Sequence, residues 1–382
     1  MRFVHTADWQ LGMTRRFLAR ASGEAQARFA EARLDAVRAL GRVADAEGAA
    51  FVLVCGDVFE SNLVGPDVVG RACEALRSFT TPVLLLPGNH DPADAASVLR
   101  REDFVRRCPE RVRVLDAAGV HNVVPGVEVV AAPWSSKRPL TDLVADVLRP
   151  LDPAPPGTLR VLAGHGALDA LSPDADDPAR IAAGPLRAAL ADARIHYAAL
   201  GDRHSTWHDP TEPRIRYSGA PEVTAHDEAD PGNVLVVEVS DARCDVRADH
   251  VGRWRFRRHQ AAVDTTADVD ALDAWLDAVH GKERTAVRLG LVGAVTLRER
   301  ARLDAVLAAH EPVFAALEVS ERRSSLVTRP DDADLGALEL SGFAASAARE
   351  LHGAARSTAG SGPGAEEALD ALALLHRLVS TR

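Results

Sequence analysis

No stretch of the 382-residue chain approaches the roughly 20 unbroken apolar residues of a membrane helix. The opening MRFVHTADWQ carries Asp8 where a secretory leader would have to stay apolar. The chain is therefore expected to be cytoplasmic, with no membrane partner. Cysteine is scarce: Cys55, Cys73, Cys108 and Cys244 lie far apart with no CxxC pair. Neither a disulfide framework nor a zinc ribbon is encoded, and the thiols are expected to be buried. Positive charge is short as well. Lys plus Arg number 45 against 55 Asp plus Glu, a net charge of −10, which is the wrong sign for gripping nucleic acid by bulk charge. Any contact with DNA must be local or metal-mediated.

Hydrophobic residues make up 47% of the chain, enough for one large domain and one or two smaller ones. Short apolar runs alternate with helical periodicity in the first part. The pattern predicts strands at Arg2–Ala7, Phe51–Cys55 and Val83–Leu86, and helices at Glu24–Glu47 and Pro66–Phe79. Further strands are expected at Val127–Ala132, Leu159–Ala163, Tyr197–Leu200, Ile215–Ser218 and Val234–Val239. Mixed sheets in an α/β/β/α core fit this order better than one fully parallel sheet. After the basic stretch RWRFRRH (Arg253–His259) the pattern restarts as a small β-α-β-α-β domain reaching Val319. Polar breaks follow, one from Ser324 through Pro330 and Asp331–Asp332, another from Ser357 to Gly364. Two short helices are expected between and after them, one with Phe343, Ala347 and Leu351, the other with Leu372, Leu375 and Val379.

Five segments share one design, an apolar strand running straight into residues able to bind metal. They are FVHTADWQLG (Asp8, Gln10), FVLVCGDVFE (Asp57), VLLLPGNHDP (Asn89, His90, Asp91), LRVLAGHGAL (His165) and YAALGDRHS (Asp202, His204). One Gly-Asp after a strand is ordinarily a turn. Five such ends would converge at the carboxyl edge of the strands, where open α/β sheets place ligands.

This ordered set resembles the calcineurin-like metallophosphoesterases, whose pattern reads D-x-H, GD, GNH[DE], GH and GHxH, over roughly Met1 to Val239. HTAD…LG, GDVFE, LLLPGNHDP, and YAALGDRHS followed by IRYSGAPE (Ile215–Glu222) are similar to the SbcD branch of nuclease subunits. The resemblance implies a four-layer α/β/β/α sandwich with a small α+β capping domain and a helical C-terminal tail. The corresponding boundaries are 1–255 for the nuclease domain, 256–322 for the cap and 323–382 for the linker and terminal helices. It further implies two divalent metal ions, Mn2+ or Mg2+, and hydrolysis of phosphodiester bonds at DNA ends. One ion would be held by Asp8, position 10, Asp57 and His204, the other by Asp57, Asn89, His165 and position 202. His90 would act on the leaving oxygen, with Asp91 either orienting it or capping a helix. A homodimer through early helices and a coiled-coil ATPase partner of SbcC type docked on the terminal helices are also implied; alternatively both helices fold back on their own domain.

Two positions depart from that pattern: Gln10 and Asp202 stand where the family has histidine. Both are oxygen ligands, which tilts the site toward hard cations. Arg203, between two ligand positions, is expected to meet a substrate phosphate or to neutralise Asp202. Arg253 and Arg255, interleaved with Trp254 and Phe256, either bind phosphates or are solvated arginines beside two core aromatics. Glu60 and Asn62 either shape a substrate pocket or are surface loop residues. Trp9 is expected beside the site, His5 in the core, and His208 and His226 in solvated loops. A small-molecule phosphodiesterase or nucleotidase, and a binding subunit with little catalysis, are the alternatives to a nuclease.

Overall fold

The computed structural model describes residues 1–21, 23–172, 177–328, 342–357 and 363–380. Pro330, Asp331–Asp332, the middle of the Ser357–Gly364 break and the Val379 side chain lie outside the described residues. Contacts divide the chain into two compact units: Met1–Arg15 with Gln26–Trp254, and Arg16–Ala25 with Arg255–Arg382.

The first unit holds two six-stranded sheets. One contains β1 (Arg2–Thr6), β2 (Val52–Cys55), β3 (Val83–Leu86) and β4 (Val112–Val114), parallel to one another, and two later strands, β11 (Asn233–Val239) and β12 (Cys244–His250). Its order is β12-β11-β1-β2-β3-β4, with the two later strands antiparallel. The other has the order β5-β6-β7-β8-β10-β9, built from β5 (Gly119–Val124), β6 (Val127–Ala131), β7 (Leu159–His165), β8 (Tyr197–Gly201), β9 (Trp207–His208) and β10 (Ile215–Tyr217). Its inner pairs are parallel and its edge strands antiparallel. Helices α1 (Arg16–Ala21), α2 (Gly23–Ala46), α3 (Pro66–Arg77), α4 (Glu102–Arg107), α5 (Leu143–Leu148) and α6 (Ala183–Ala191) fall between the strands in sequence.

Strand alternation decides what each face buries. Val4, Val52, Val54, Val83 and Leu85 pack with Val37 and Leu40 of α2 and Val69 and Leu76 of α3. Their neighbours Phe3, Phe51, Leu53 and Leu84 point the other way, into a cluster with Val129, Ala131, Val161 and Tyr197 of the second sheet. Val130, Leu162, Ala198 and Leu200, from the far face of that sheet, meet Val144 and Leu148 of α5 and Leu186 and Leu190 of α6. Each such side chain, fully buried, contributes roughly 1.5–3 kcal/mol before chain entropy is subtracted. Helix α3 starts with Pro66 in its first turn and Asp67 beside it, residues suited to a helix amino end.

The second unit carries β13 (Arg255–Ala262), α7 (Thr266–Asp277), β14 (Thr285–Val295), α8 (Leu297–His310), β15 (Ala316–Val319) and β16 (Ser325–Thr328). Capping boxes open α7 (Thr265, Asp268) and α8 (Thr296, Glu299). Among the described residues every strand pairing of this unit is parallel, so it has α/β order where α+β was expected: α7 and α8 return β14 and β15 in the direction of β13, and β16 follows β15 along β14 after a short link. Helices α9 (Gly342–Ser357) and α10 (Pro363–Ser380) follow. Their apolar residues Ala348, Leu351, Leu372 and Leu375 cluster with Leu297 of α8. Of the expected stripes Leu372 is buried and Leu351 and Leu375 partly buried within this unit, while Phe343 stays 89% exposed. Among the described residues no helix is long and apolar enough to cross a membrane.

Candidate metal centre

Three turns that carry expected ligands have unusual backbones. Asp8, Gln10, Asp57 and Asp202 lie at φ of 56°, 41°, 55° and 97°, and among the described residues only Ala193 joins them as a non-glycine residue at positive φ. Such backbones cost free energy and persist where the surroundings impose them. Here the loops after β1 and β2 are laced together by Asp8 N to Gly56 O (3.0 Å), Gln10 N to Asp57 O (2.8 Å) and Leu11 N to Val58 O (2.9 Å). Gly88 lets the third loop close in, since a Cβ there would lie 2.2 Å from Asp57 Oδ1.

The seven expected ligands come together. His165 Nε2 lies 2.9 Å from Asn89 Oδ1, 3.4 Å from Asp57 Oδ1 and 3.8 Å from Asp202 Oδ1. His204 Nε2 lies 3.2 Å from Gln10 Nε2 and 4.0 Å from Asp8 Oδ1. Asp202 N donates to both carboxylate oxygens of Asp8 at 3.1 Å. Donor atoms of Asp8, Asp57 and His165 all fall within 4.8 Å of one another, and all three residues are buried.

These donors fit a cation. His165 Nδ1 sits 2.8 Å from the Cys55 carbonyl, which only accepts, so that nitrogen carries the proton and Nε2 faces three oxygens. A lone pair among oxygens is stable only if a proton or a metal ion lies between them. The Gln10 Oε1 oxygen is buried without a partner, as a ligand oxygen would be before its ion arrives.

The family model for calcineurin-like phosphoesterase matches residues 1–314. The chain belongs to this family. No curated protein matches it. Among solved structures it is similar to TT1561 of Thermus thermophilus, at 9% identity, covering 65% of this chain and 98% of that one with a TM-score of 0.40. A second solved chain shares 10% identity over 65% of this chain and 98% of its own, with a TM-score of 0.36. Membership in the calcineurin-like phosphoesterases implies a metal-dependent hydrolase of phosphoester bonds.

The electrostatics agree with a cation site of this family. Burial raises Asp8 to about 7, against the pull of His204 and His165. Burial alone would lower His165, but Asp57, Asp8 and Asp202 outweigh it and raise the imidazole to about 9. Burial also raises Asp202. Protons are held where the carboxylates lack another cation.

Other expected residues divide. The His90 ring is half-buried, its Nδ1 bonded to Glu60 O at 2.8 Å and its Nε2 4.0 Å from Asp57 Oδ2. Asp91 neither orients that ring nor caps a helix: its buried carboxylate accepts from Gly88 N (2.9 Å) and Phe59 N (3.0 Å), tying the second and third loops together. Burial raises it to about 6. Arg203 keeps a buried, unpartnered Nε and lines a cavity of about 420 Å³ with Asp202, His204, Tyr217 and Glu228. The backbone carbonyl of Glu60 holds His90, and its Oε2 is buried without a partner. Asn62 ties the second loop to the third through Pro92 O, Asp94 and Val98 N, so it is a structural residue. The exposed Arg253 reaches Asp35 at 3.5 Å, and the exposed Arg255 opens β13, while Trp254 packs on Phe29 and Phe256 on Phe17. Among the described residues Arg253 has no polar contact with the ligand cluster.

Trp9 is buried with Nε1 on Thr6 Oγ1. His5 is a core histidine bonded to Tyr197 OH and Leu200 O, and burial lowers it to about 3. His208 is exposed, but His226 is buried, against expectation. Cys55 and Cys73 are buried and Cys108 and Cys244 only partly, all free. Sequence reasoning missed Arg33, whose buried guanidinium binds the carbonyls of Trp9 at 3.0 and 2.6 Å and of Val223 at 3.3 Å. Its place on the apolar face of α2, four residues from Phe29 and from Val37, was the available signal.

Proposed function

We propose that the chain is a metal-dependent DNA nuclease of SbcD-like type that hydrolyses phosphodiester bonds at DNA ends. The observation that carries the hydrolytic part is the convergence of Asp8, Asp57 and His165 within 4.8 Å, with His90 Nε2 open beside Asp57. The DNA-end part rests on the motif sequence from HTAD to IRYSGAPE. Asp8, Gln10, Asp57 and His204 would hold one divalent ion, and Asp57, Asn89, His165 and Asp202 the other. Such ions supply charge neutralisation of the phosphoryl group and a nucleophile from water near neutral pH. The chain's own groups do the rest. His90, held through Nδ1 by Glu60 O, presents Nε2 to a leaving oxygen. Arg203, which lines the cavity beside Asp202 and His204, would offer its guanidinium to a non-bridging phosphate oxygen.

The three apolar clusters of the first unit support a four-layer α/β/β/α sandwich, with residues 256–322 as the cap. Oxygen-rich donors favour Mn2+ or Mg2+. A cytoplasmic complex with a coiled-coil ATPase of SbcC type and a homodimer belong to the same reading. With Ala348, Leu351, Leu372 and Leu375 clustered on Leu297, Phe343 and Leu374 are, among the described residues of α9 and α10, the large apolar side chains left exposed for that partner.

The test is cleavage of single-stranded and duplex DNA in Mn2+ beside the Asp57→Ala variant. Cleavage abolished in the variant is expected; cleavage that survives it sinks the assigned roles. The acidic rim of the cavity, Asp227 and Glu228 beside Arg203, favours a second reading, a small-molecule phosphodiesterase or nucleotidase. Turnover of bis(p-nitrophenyl) phosphate or cyclic nucleotides with DNA untouched would select it.

A further inference from the structure

After Asp202–His204 the chain runs through β9 and β10 and comes back past the His204 ring with Thr224 and Glu228. His204 Nδ1 lies 2.6 Å from Thr224 Oγ1 and 3.2 Å from Glu228 Oε1. The Glu228 side chain is only 6% exposed. Its Oε2 accepts from Thr224 N at 2.9 Å, and its Oε1 accepts from Ala225 N at 3.0 Å and from the Thr224 hydroxyl. The hydroxyl proton is thus spent on the carboxylate, and the Thr224 oxygen can only accept from the ring. Both neighbours of Nδ1 are acceptors. The proton must sit on Nδ1, which leaves the Nε2 lone pair facing Gln10 and Asp8.

We propose that Glu228 is the positioning residue of the metal centre: with Thr224 it fixes His204 in the Nδ1–H tautomer and so holds Nε2 ready to ligate. The inference rests on the metal reading of the site given above. Glu228 adds no ligand of its own. Its effect passes through the ring, as carboxylates behind ligating histidines do, where their loss weakens metal binding roughly 10–100-fold. Gln10 makes the demand sharper. An amide is a weaker ligand than imidazole, so the first ion depends more heavily on His204.

The experiment is Mn2+ titration calorimetry on the full chain, on Glu228→Gln and on Asp57→Ala, with long-range 1H–15N spectra of the His204 ring. Glu228→Gln is expected to weaken Mn2+ binding about 10–100-fold and to shift His204 away from the Nδ1–H form, while circular dichroism stays that of the unaltered chain. Equal affinity overturns the proposal. So does weaker binding with the ring still in the Nδ1–H form, which would make Glu228 a loop brace only. Should Glu228→Gln fail to fold, Thr224→Val takes its place: a loss of a few fold is expected and no loss overturns the proposal. If the unaltered chain binds no Mn2+, the metal reading itself falls and takes this inference with it.

Discussion

At the scale of single residues, the site is a set of groups whose burial and mutual charge make them hold protons in place of a cation. Asp8 and Asp91 sit at about 7 and about 6 against an ordinary 3.8, and His165 at about 9 against 6.5. A group with a raised pKa binds its proton more tightly folded than unfolded, so its contribution is whole below the unfolded pKa and lost as pH rises through the folded one. All three act in the same direction. His5, lowered to about 3, acts the other way between about pH 3 and 6.5 but is outweighed by the three together. In chelator, stability should therefore fall from about pH 4 through about pH 9, by on the order of a few kcal/mol. Mn2+ should raise the melting temperature more at pH 8 than at pH 5, because the ion replaces protons that have already left. Scanning calorimetry at both pH values checks this, with Asp8→Asn as the control that flattens the chelator profile. A chelator melting temperature that rises with pH would refute the account. The ligand types were legible in the sequence because each follows a strand. The role of Asp91 was not, since adjacency to His90 in sequence says nothing of which amides a buried carboxylate reaches.

At the scale of elements, strand ends and their glycines set the precision of the centre. A Cβ at Gly201 would stand 1.9 Å from Cys55 O and 2.8 Å from His165 Nδ1, so β8 can pass the end of β2 only as glycine. Gly201→Ala should cost roughly 1–3 kcal/mol or more and weaken Mn2+ binding as His165 is displaced. By contrast Gly353, inside α9, has nothing within 4 Å of an added Cβ. Gly353→Ala should stabilise by about 0.5–1 kcal/mol through helix propensity. Thermal melts of the two variants should therefore move in opposite directions, and melts that move together would count against the steric argument. Buried strands were readable almost to the residue, Val83–Leu86 among them, because continuous apolar runs leave little choice. β5 and β12 were not: GVHNVV and CDVRADH mix polar and apolar residues on edges with one exposed face.

At the scale of the whole chain, the division into units is not one of consecutive segments. Arg16–Ala25 groups with the residues after Trp254, and inside that unit Phe17 meets the Phe256 ring edge-on at 5.2 Å with the Arg288 guanidinium over it. Local patterning could not reveal this, because α1 reads like any amphipathic helix until its partner, more than 200 residues later, is known. A fragment ending at Trp254 keeps Phe17 but loses both neighbours. It should aggregate more readily than the same fragment carrying Phe17→Ser. Light scattering at matched concentration decides between them, and equal scattering would mean that Phe17 finds other cover.

This discontinuity also shapes how the protein is made. At a synthesis rate of roughly 5–20 residues per second, the stretch from Gln26 to Trp254 takes on the order of ten to forty-five seconds to leave the ribosome. For that time the nascent Arg16–Ala25 segment waits without the strands it belongs with, exposed to chaperones and to neighbouring chains. The same arrangement constrains the gene. A recombination event that transplants only the 3′ portion would deliver a unit missing its first helix, so the two units are expected to be inherited together.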